Sequence, residues 1–284
     1  MNLALPRRAP EIADSQLSKL RSELHSRAGI TIDSTPGVIG GYVAQRMDSL
    51  GLLDVASYIA LFDESISARA EWLALTDLLT IKETRFFRQV EAFACMEHYL
   101  EELLDESPAT GEFSFWSAGC STGQELYSMA MVAESVISQG SPWLEWHGIG
   151  SDISFRAVLQ GREAVYQEAA TASIPERYRG RYLDPKLGGR WKVVEDIRSR
   201  TNFFHSNLLH VDSAPFSDFN VISCQNVLIY FAREKQHWIV DQLVDRIRTG
   251  GLLLLGAGED ASWTNPHVER LQWPGVCAYK KTGG

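Results

Sequence analysis

At 284 residues, with 45% hydrophobic and 22% charged side chains, the chain has room for one large domain or two and an ordinary globular balance. Its 27 basic and 36 acidic residues leave a formal net charge of −9, which argues against a general nucleic-acid binder and against docking on an anionic membrane. The start, MNLALPRRAP, lacks the apolar region of a signal peptide, and the longest apolar run, around GGLLLLGAG, is far below membrane-spanning length. Direct membrane insertion is therefore not expected, and the chain reads as cytoplasmic. Cys95, Cys120, Cys224 and Cys277 lie far apart with no short paired spacing, so no metal site and no disulfide framework is expected, only reduced, partly buried thiols.

In chain order, SQLSKLRSELHSRAGI, GGYVAQRMDSLGL, VASYIALFDE and RAEWLALTDLLT place apolar residues three and four apart, with Gly29, Gly51 and polar turns between them, which predicts helices over residues 11–80. TIKETRFFRQ, 80–89, follows with adjacent Phe86 and Phe87 enclosed by Lys82, Glu83, Thr84, Arg85 and Arg88. A helix seldom buries two neighbouring side chains on one face, so this stretch reads as a helix start or as the wall of a site. From residue 112, short apolar runs alternate with amphipathic helices, the pattern of a βαβ sheet covered on both faces. The boundary falls near residues 80–110. Residues 162–205 interrupt the alternation with a polar stretch carrying Gly188-Gly189 and the strand-like RWKVV, and predict a small inserted β unit. No internal repeat is visible.

GEFSFWSAGCSTGQELYSMAMVAESVISQG reads as strand, glycine loop, helix: FSFWSA is the strand, Gly119 and Gly123 frame a tight turn, and the helix ends at Gly140. Such a turn brings bare backbone close to a ligand below a helix start, as in nucleotide-like cofactor sites. The spacing is G-x-x-x-G without the Lys-Ser/Thr of a phosphate loop, which disfavours NAD and ATP. In WHGIGSDIS, Asp152 ends the next apolar strand, where a carboxylate either caps a helix or accepts both hydroxyls of a ribose; beside the glycine loop the ribose reading is preferred. Glu125, in the first turn after the loop, is either a macrodipole partner or an acceptor for a cationic ligand. An acid there is unhelpful to a phosphate and suits S-adenosylmethionine, which carries an ammonium and a sulfonium.

With ETRFFR at 83–88, WSAGCSTGQELYSMA at 116–130, GSDIS at 150–154, NLL at 207–209, FNVISCQNVLIYF at 219–231 and GGLLLLGAGE at 250–259, the chain resembles the CheR family of chemotaxis receptor methyltransferases. These motifs follow the family's order and spacing over nearly the whole chain. The resemblance implies an α/β fold: an all-α N-terminal domain, 1–85, and a Rossmann-like S-adenosylmethionine-dependent methyltransferase domain, 86–284, with a small β-subdomain inserted at about 162–205. It implies a protein-glutamate O-methyltransferase that moves a methyl group from S-adenosyl-L-methionine to glutamate side chains on the cytoplasmic helices of a methyl-accepting chemoreceptor, leaving S-adenosyl-L-homocysteine.

The family pattern places Lys82, Thr84, Arg88, Gly119, Gly123, Glu125 and Asp152 at the cofactor, Asn207 and Leu208 near its adenine, and Gln225 and Asn226 after the fourth strand. It makes Arg88 and Tyr230 the pair that faces the methyl acceptor. On its own, Tyr230 also reads as a core tyrosine and Asn207 as a turn cap. The alternative function is a non-catalytic regulatory module that binds S-adenosylmethionine or S-adenosylhomocysteine; retention of Arg88 and Tyr230 beside Glu125 and Asp152 favours the enzyme. A nucleic-acid or small-molecule methyltransferase finds less support in the net charge and in a segment, NVLIYF, without an Asn-Pro-Pro-Tyr type turn. No oligomer signal is present, and the chain is read as a monomer.

Under this reading Phe86 and Phe87 are apolar walls that dry the site and Arg88 aims the acceptor carboxylate. Three positions depart from the family: Lys82 replaces the usual asparagine, Gln225 the usual arginine, and GAGE lacks the usual histidine-serine pair. Lys82 puts a cation near a cationic cofactor. The helix PGVIGGYVAQRMDSL, arginine-rich in much of the family, keeps only Arg46, and residues 1–80 hold seven basic against ten acidic side chains. Steering toward an acidic receptor helix would be weak, which suggests a receptor of an alternative chemosensory pathway rather than of flagellar chemotaxis.

Overall fold

The computed structural model describes residues 12–29, 35–63, 67–80, 82–106, 111–260 and 262–283; the opening segment with Arg7 and Arg8 lies outside them. The chain divides into two compact units, one reaching Ile81 and including Tyr230–Ala232, the other Lys82–Ile229 with Arg233–Gly284. The helical unit thus ends four residues before the expected 85.

That unit holds α1 (Asp14–Ala28), α2 (Pro36–Leu50), α3 (Val55–Ala60) and α4 (Ser67–Leu79). Gly29 and Gly51 end α1 and α2 in the left-handed region, at φ 71° and 69°, a conformation open to glycine at little cost. Leu17, Leu20 and Leu24 from α1, Val43 and Met47 from α2, and Trp72 and Leu75 from α4 fill one core. Within the unit Glu71 is buried, and Arg46 donates to both its oxygens at 2.9 and 2.7 Å while the Tyr58 hydroxyl donates to it at 2.7 Å. Arg46 is thereby committed inside the unit.

The second unit begins with α5 (Val90–Glu106), β1 (Glu112–Ala118), α6 (Gln124–Gly140), β2 (Glu145–Asp152) and α7 (Phe155–Glu163). A small segment follows: β3 (Val165–Gln167), α8 (Glu168–Thr171), α9 (Glu176–Tyr182), β4 (Leu183–Lys186), β5 (Arg190–Val193) and α10 (Glu195–Arg198). The unit closes with β6 (Thr201–His205), β7 (Phe219–Cys224), α11 (Arg233–Asp245), β8 (Ile247–Leu255), β9 (Val268–Leu271) and β10 (Cys277–Lys281).

Seven strands form one sheet in the order β6-β2-β1-β7-β8-β10-β9, and β3-β5-β4 form a separate three-stranded sheet. β6, β2, β1, β7 and β8 pair in parallel, whereas β10 runs antiparallel to both β8 and β9. β2 and β7 flank β1 on opposite sides, so the winding reverses beside β1. In a Rossmann-like sheet of this kind the carboxyl ends of the strands at such a switch point form the ligand crevice. The small sheet is narrower than the expected 162–205, because Thr201–His205 pairs with β2 as the edge strand of the main sheet. Its exposed Asn202 and His205 gave that strand a polar look.

The two phenylalanines are neither a helix start nor walls of the crevice. Phe86 and Phe87 form a turn before α5, with Phe87 at φ 49°, so that consecutive side chains enter the same core. Phe86 is fully buried, edge-on to Tyr166 at 4.9 Å, and Phe87 stacks on Tyr178 at 5.1 Å. The Phe87 amide donates to Ser128 Oγ at 3.0 Å, and Ser173 Oγ donates to the Phe86 carbonyl at 2.8 Å. Burying two such rings is worth about 1.5–3 kcal/mol each and fastens the turn to α6 and to the inserted segment. All four cysteines are free thiols and buried, more deeply than expected. No helix among the described residues is long and apolar enough to cross a membrane.

Candidate active site

β1 ends at Ala118 and the chain turns through Gly119, Ser121 and Gly123 at φ 88°, 48° and 93° before α6 starts. The Gly119 and Cys120 amides both donate to the Ser151 carbonyl, at 2.8 and 2.9 Å, which ties the loop to the end of β2. The glycines also answer to packing within the chain. A Cβ on Gly119 would lie 2.3 Å from Val227 Cγ2, and one on Gly123 would lie 2.9 Å from the Phe203 ring and 3.1 Å from Gly161 Cα. Any side chain would push the loop off its neighbours.

Asp152 takes the Ser121 amide on one oxygen and the Ser154 amide on the other, both at 2.8 Å. The cap of α7 is Ser154, whose hydroxyl accepts the Ala157 amide at 3.1 Å, so Asp152 is not the helix cap. Burial pushes the Asp152 carboxyl up, and the two amides with the charges of Lys82 and His205 pull it back. Lys82, half-buried, therefore bears on the acid at the end of β2.

Glu125, in the first turn of α6, accepts Ser117 Oγ at 2.7 Å and Gln225 Nε2 at 3.4 Å; Gln225 Nε2 also donates to Ser223 Oγ at 2.8 Å. Burial pushes the Glu125 carboxyl up to about 7; the Ser117 and Ser223 hydroxyls and the charge of Arg88 oppose it, and the charge of Glu259 adds to it. Arg88 itself is exposed and donates to the Glu83 carbonyl at 3.0 Å. Asn226, at φ 59°, donates its amide to Glu259 at 2.8 Å, and its side-chain oxygen meets Gln89 Nε2 at 3.5 Å.

The structure thus gathers Arg88, Gly119, Glu125, Gln225 and Asn226 around the ends of β1 and β7, and Gly123, Asp152 and Lys82 around the other side of the same loop. Thr84 lies half-buried between Lys82 and Arg88. Asn207 opens the turn Leu208–Ser213 by accepting the Leu209 amide at 2.9 Å, so the turn-cap geometry is present, and Leu208 is buried after β6. Tyr230 closes the short helical turn Leu228–Tyr230 and is half-buried. Ser117, Gln89, Val227 and Glu259 belong to the cluster but were not singled out in the sequence; only Glu259, in GAGE, carried any signal there.

The chemistry of the cluster fits S-adenosylmethionine. Ser121 Oγ, Gln89 Oε1, Gln225 Oε1 and Glu259 Oε1 are buried without a hydrogen-bond partner among the described residues, and three of these four are acceptors only. Acceptors in excess, with Glu125 and Asp152 beside them, suit a cationic ligand with ribose hydroxyls to donate and no phosphate to repel. No group of His, Cys, Asp or Glu among the described residues is arranged to hold a metal ion.

Residues 82–274 match the family model described as CheR methyltransferase, SAM binding domain. The chain is 28% identical over 263 residues to a chemotaxis protein methyltransferase of Escherichia coli, covering 91% of this chain and 87% of that protein. It is 32% identical over 208 residues to the chemotaxis protein methyltransferase Cher2 of Pseudomonas putida, covering 71% and 74%. A third relative, chemotaxis protein methyltransferase 1 of Pseudomonas aeruginosa, is 28% identical over 93% of this chain and 97% of its own length. With the glycine loop and the acids of β2 and α6 on residues 82–274, the chain belongs to the CheR methyltransferase family and is an S-adenosylmethionine-dependent methyltransferase.

Proposed function

We propose that the chain transfers the methyl group of S-adenosylmethionine to glutamate side-chain carboxylates on the cytoplasmic helices of a chemoreceptor, giving glutamate methyl ester and S-adenosylhomocysteine. The printed names of the relatives support the chemotactic setting. The observation that carries the cofactor side is the acceptor-rich cluster in which Glu125, held by Ser117 and Gln225, stands across the glycine loop from Asp152.

When bound, the cofactor supplies an electrophilic methyl group on a sulfonium. Glu125 and the free Gln225 Oε1 accept its ammonium, Asp152 accepts ribose hydroxyls, and Asn207 with Leu208 borders the adenine. Thr84 and Asn226 complete the rim. A glutamate carboxylate is ionised at neutral pH, so this chain needs no strong base. Its task is to align the acceptor and shed the water around it. Arg88, exposed and planar, is suited to hold the acceptor carboxylate without fully neutralising it, and Tyr230 is assigned to the acceptor as well.

Incubation with S-adenosylmethionine labelled in the methyl group and receptor cytoplasmic fragments should yield base-labile methyl ester. In Arg88→Ala and Tyr230→Phe the rate should fall about tenfold or more with the fold intact, the scale of a lost charged or neutral positioning contact. Base-stable product would overturn the ester, and unchanged turnover in both variants would overturn the acceptor assignment.

A further inference from the structure

Glu259 lies just after β8, belongs to the cluster but has been given no role, and is only 7% exposed. Its Oε2 accepts the Gly256 amide at 2.9 Å and the Asn226 amide at 2.8 Å, and the amides of Leu228 and Ile229 also pull its titration down. Two backbone N–H groups therefore converge on one carboxylate oxygen, burial pushes the carboxyl up despite them, and the other oxygen is buried without a partner among the described residues. Room for it is made by a glycine: a Cβ on Gly256 would lie 2.2 Å from Glu259 Oε2. The following loop is fastened separately, since Asp241 on α11 accepts Trp263 Nε1 at 3.0 Å and Asn265 Nδ2 at 2.8 Å.

A turn that needs its amides satisfied can use a neutral serine or asparagine oxygen. A carboxylate buried here, with no cation bonded to it among the described residues, costs several kcal/mol of desolvation that the amides offset only in part. The costly part is the charge, and it is held against the site: Glu259 accepts the amide of Asn226, next to Gln225, and its charge pushes the Glu125 carboxyl and the Cys224 thiol up. The turn it holds carries Gln225, whose amide meets Glu125.

We infer that Glu259 is a positioning residue of the cofactor site, whose carboxylate fixes the Gln225–Ile229 turn and presents a second buried negative charge to the cationic end of S-adenosylmethionine. This rests on the reading that Glu125, Gln225 and Asn226 face the cofactor. The two effects separate experimentally, because S-adenosylmethionine carries a sulfonium charge that S-adenosylhomocysteine lacks.

The test is calorimetric titration of the full-length protein with each ligand at pH 8, above the titration of Glu125 near 7. Glu259→Gln keeps an acceptor oxygen but loses the charge, so S-adenosylmethionine should weaken about fivefold more than S-adenosylhomocysteine, the scale of one charge acting through a partly screened interior. Glu259→Asp and Gly256→Ala keep the charge but displace the oxygen, so both ligands should weaken together with their ratio held within about twofold. Equal weakening of the two ligands in Glu259→Gln, or a changed ratio in the charge-keeping variants, overturns the role of Glu259. The latter pair keeps the test decisive if Glu259→Gln does not fold. Failure of the unsubstituted protein to bind either ligand overturns the underlying reading of the site instead.

Discussion

Glu125 combines a buried carboxyl that titrates near 7 with two hydroxyl donors and the charge of Arg88, so a modest change in surroundings changes its protonation. A cationic ligand binds the ionised form, so affinity for S-adenosylmethionine should rise with pH through about 7 and level off above it. Without ligand the sign is opposite. The folded carboxyl binds protons more tightly than the unfolded one, at about 4.3, so the stability tied to Glu125 is present at low pH and is lost as pH rises through about 7. Asp152 and Glu259 are displaced in the same direction. Binding titrations from pH 6 to pH 8 should show this rise, and Glu125→Gln should flatten it and weaken binding about tenfold, the value of a charge-assisted hydrogen bond. A slope unchanged in Glu125→Gln would place the titrating group elsewhere. The same electrostatics answer the difficulty posed by Lys82. Its charge pulls the Asp152 carboxyl down, as that of Arg88 does for Glu125, so each of the two cations offsets one acid.

At the scale of elements, α2 carries the clearest revision. Arg46, the one arginine left on that helix, forms a two-pronged pair with buried Glu71, and Tyr58 completes it. Removing one partner of a buried pair strands the other charge, so Arg46→Ala should cost about 3 kcal/mol, read as a lowered urea midpoint of the helical unit. A change in receptor affinity with stability unaltered would restore Arg46 to a docking role. The strand β1, its glycine loop, α6 and Asp152 were legible in sequence because periodicity, glycine placement and a strand-terminal acid are local signals. The destination of Phe86 and Phe87 was not, since a positive φ at a phenylalanine has no glycine to announce it and the rings' partners, Tyr166 and Tyr178, lie far along the chain. Glu259 was obscure for a related reason: it acts on the backbone amide of Asn226, 33 residues away, and main-chain donors leave no mark in a sequence. Edge strand β6 was absorbed into the insertion because two of its five side chains, Asn202 and His205, are exposed.

For the whole molecule, charge sets how a receptor is met. The chain has a formal net charge of −9, residues 1–80 hold seven basic and ten acidic side chains, and Arg46 is spent internally. An acceptor helix bearing glutamates is acidic as well, so long-range attraction is not available to speed encounter, and recognition must come from short-range fit and from local cations such as Arg88. Raising ionic strength from about 20 to 200 mM shortens the screening length from roughly 20 to 7 Å, which removes repulsion between like-charged partners but leaves a close Arg88–carboxylate contact largely intact. The kcat/KM for receptor methylation should therefore stay level or rise by about twofold over that range, whereas a steered encounter with a basic docking face would slow about tenfold. Measured at saturating cofactor, a steep fall with salt would show that a basic surface guides the receptor after all.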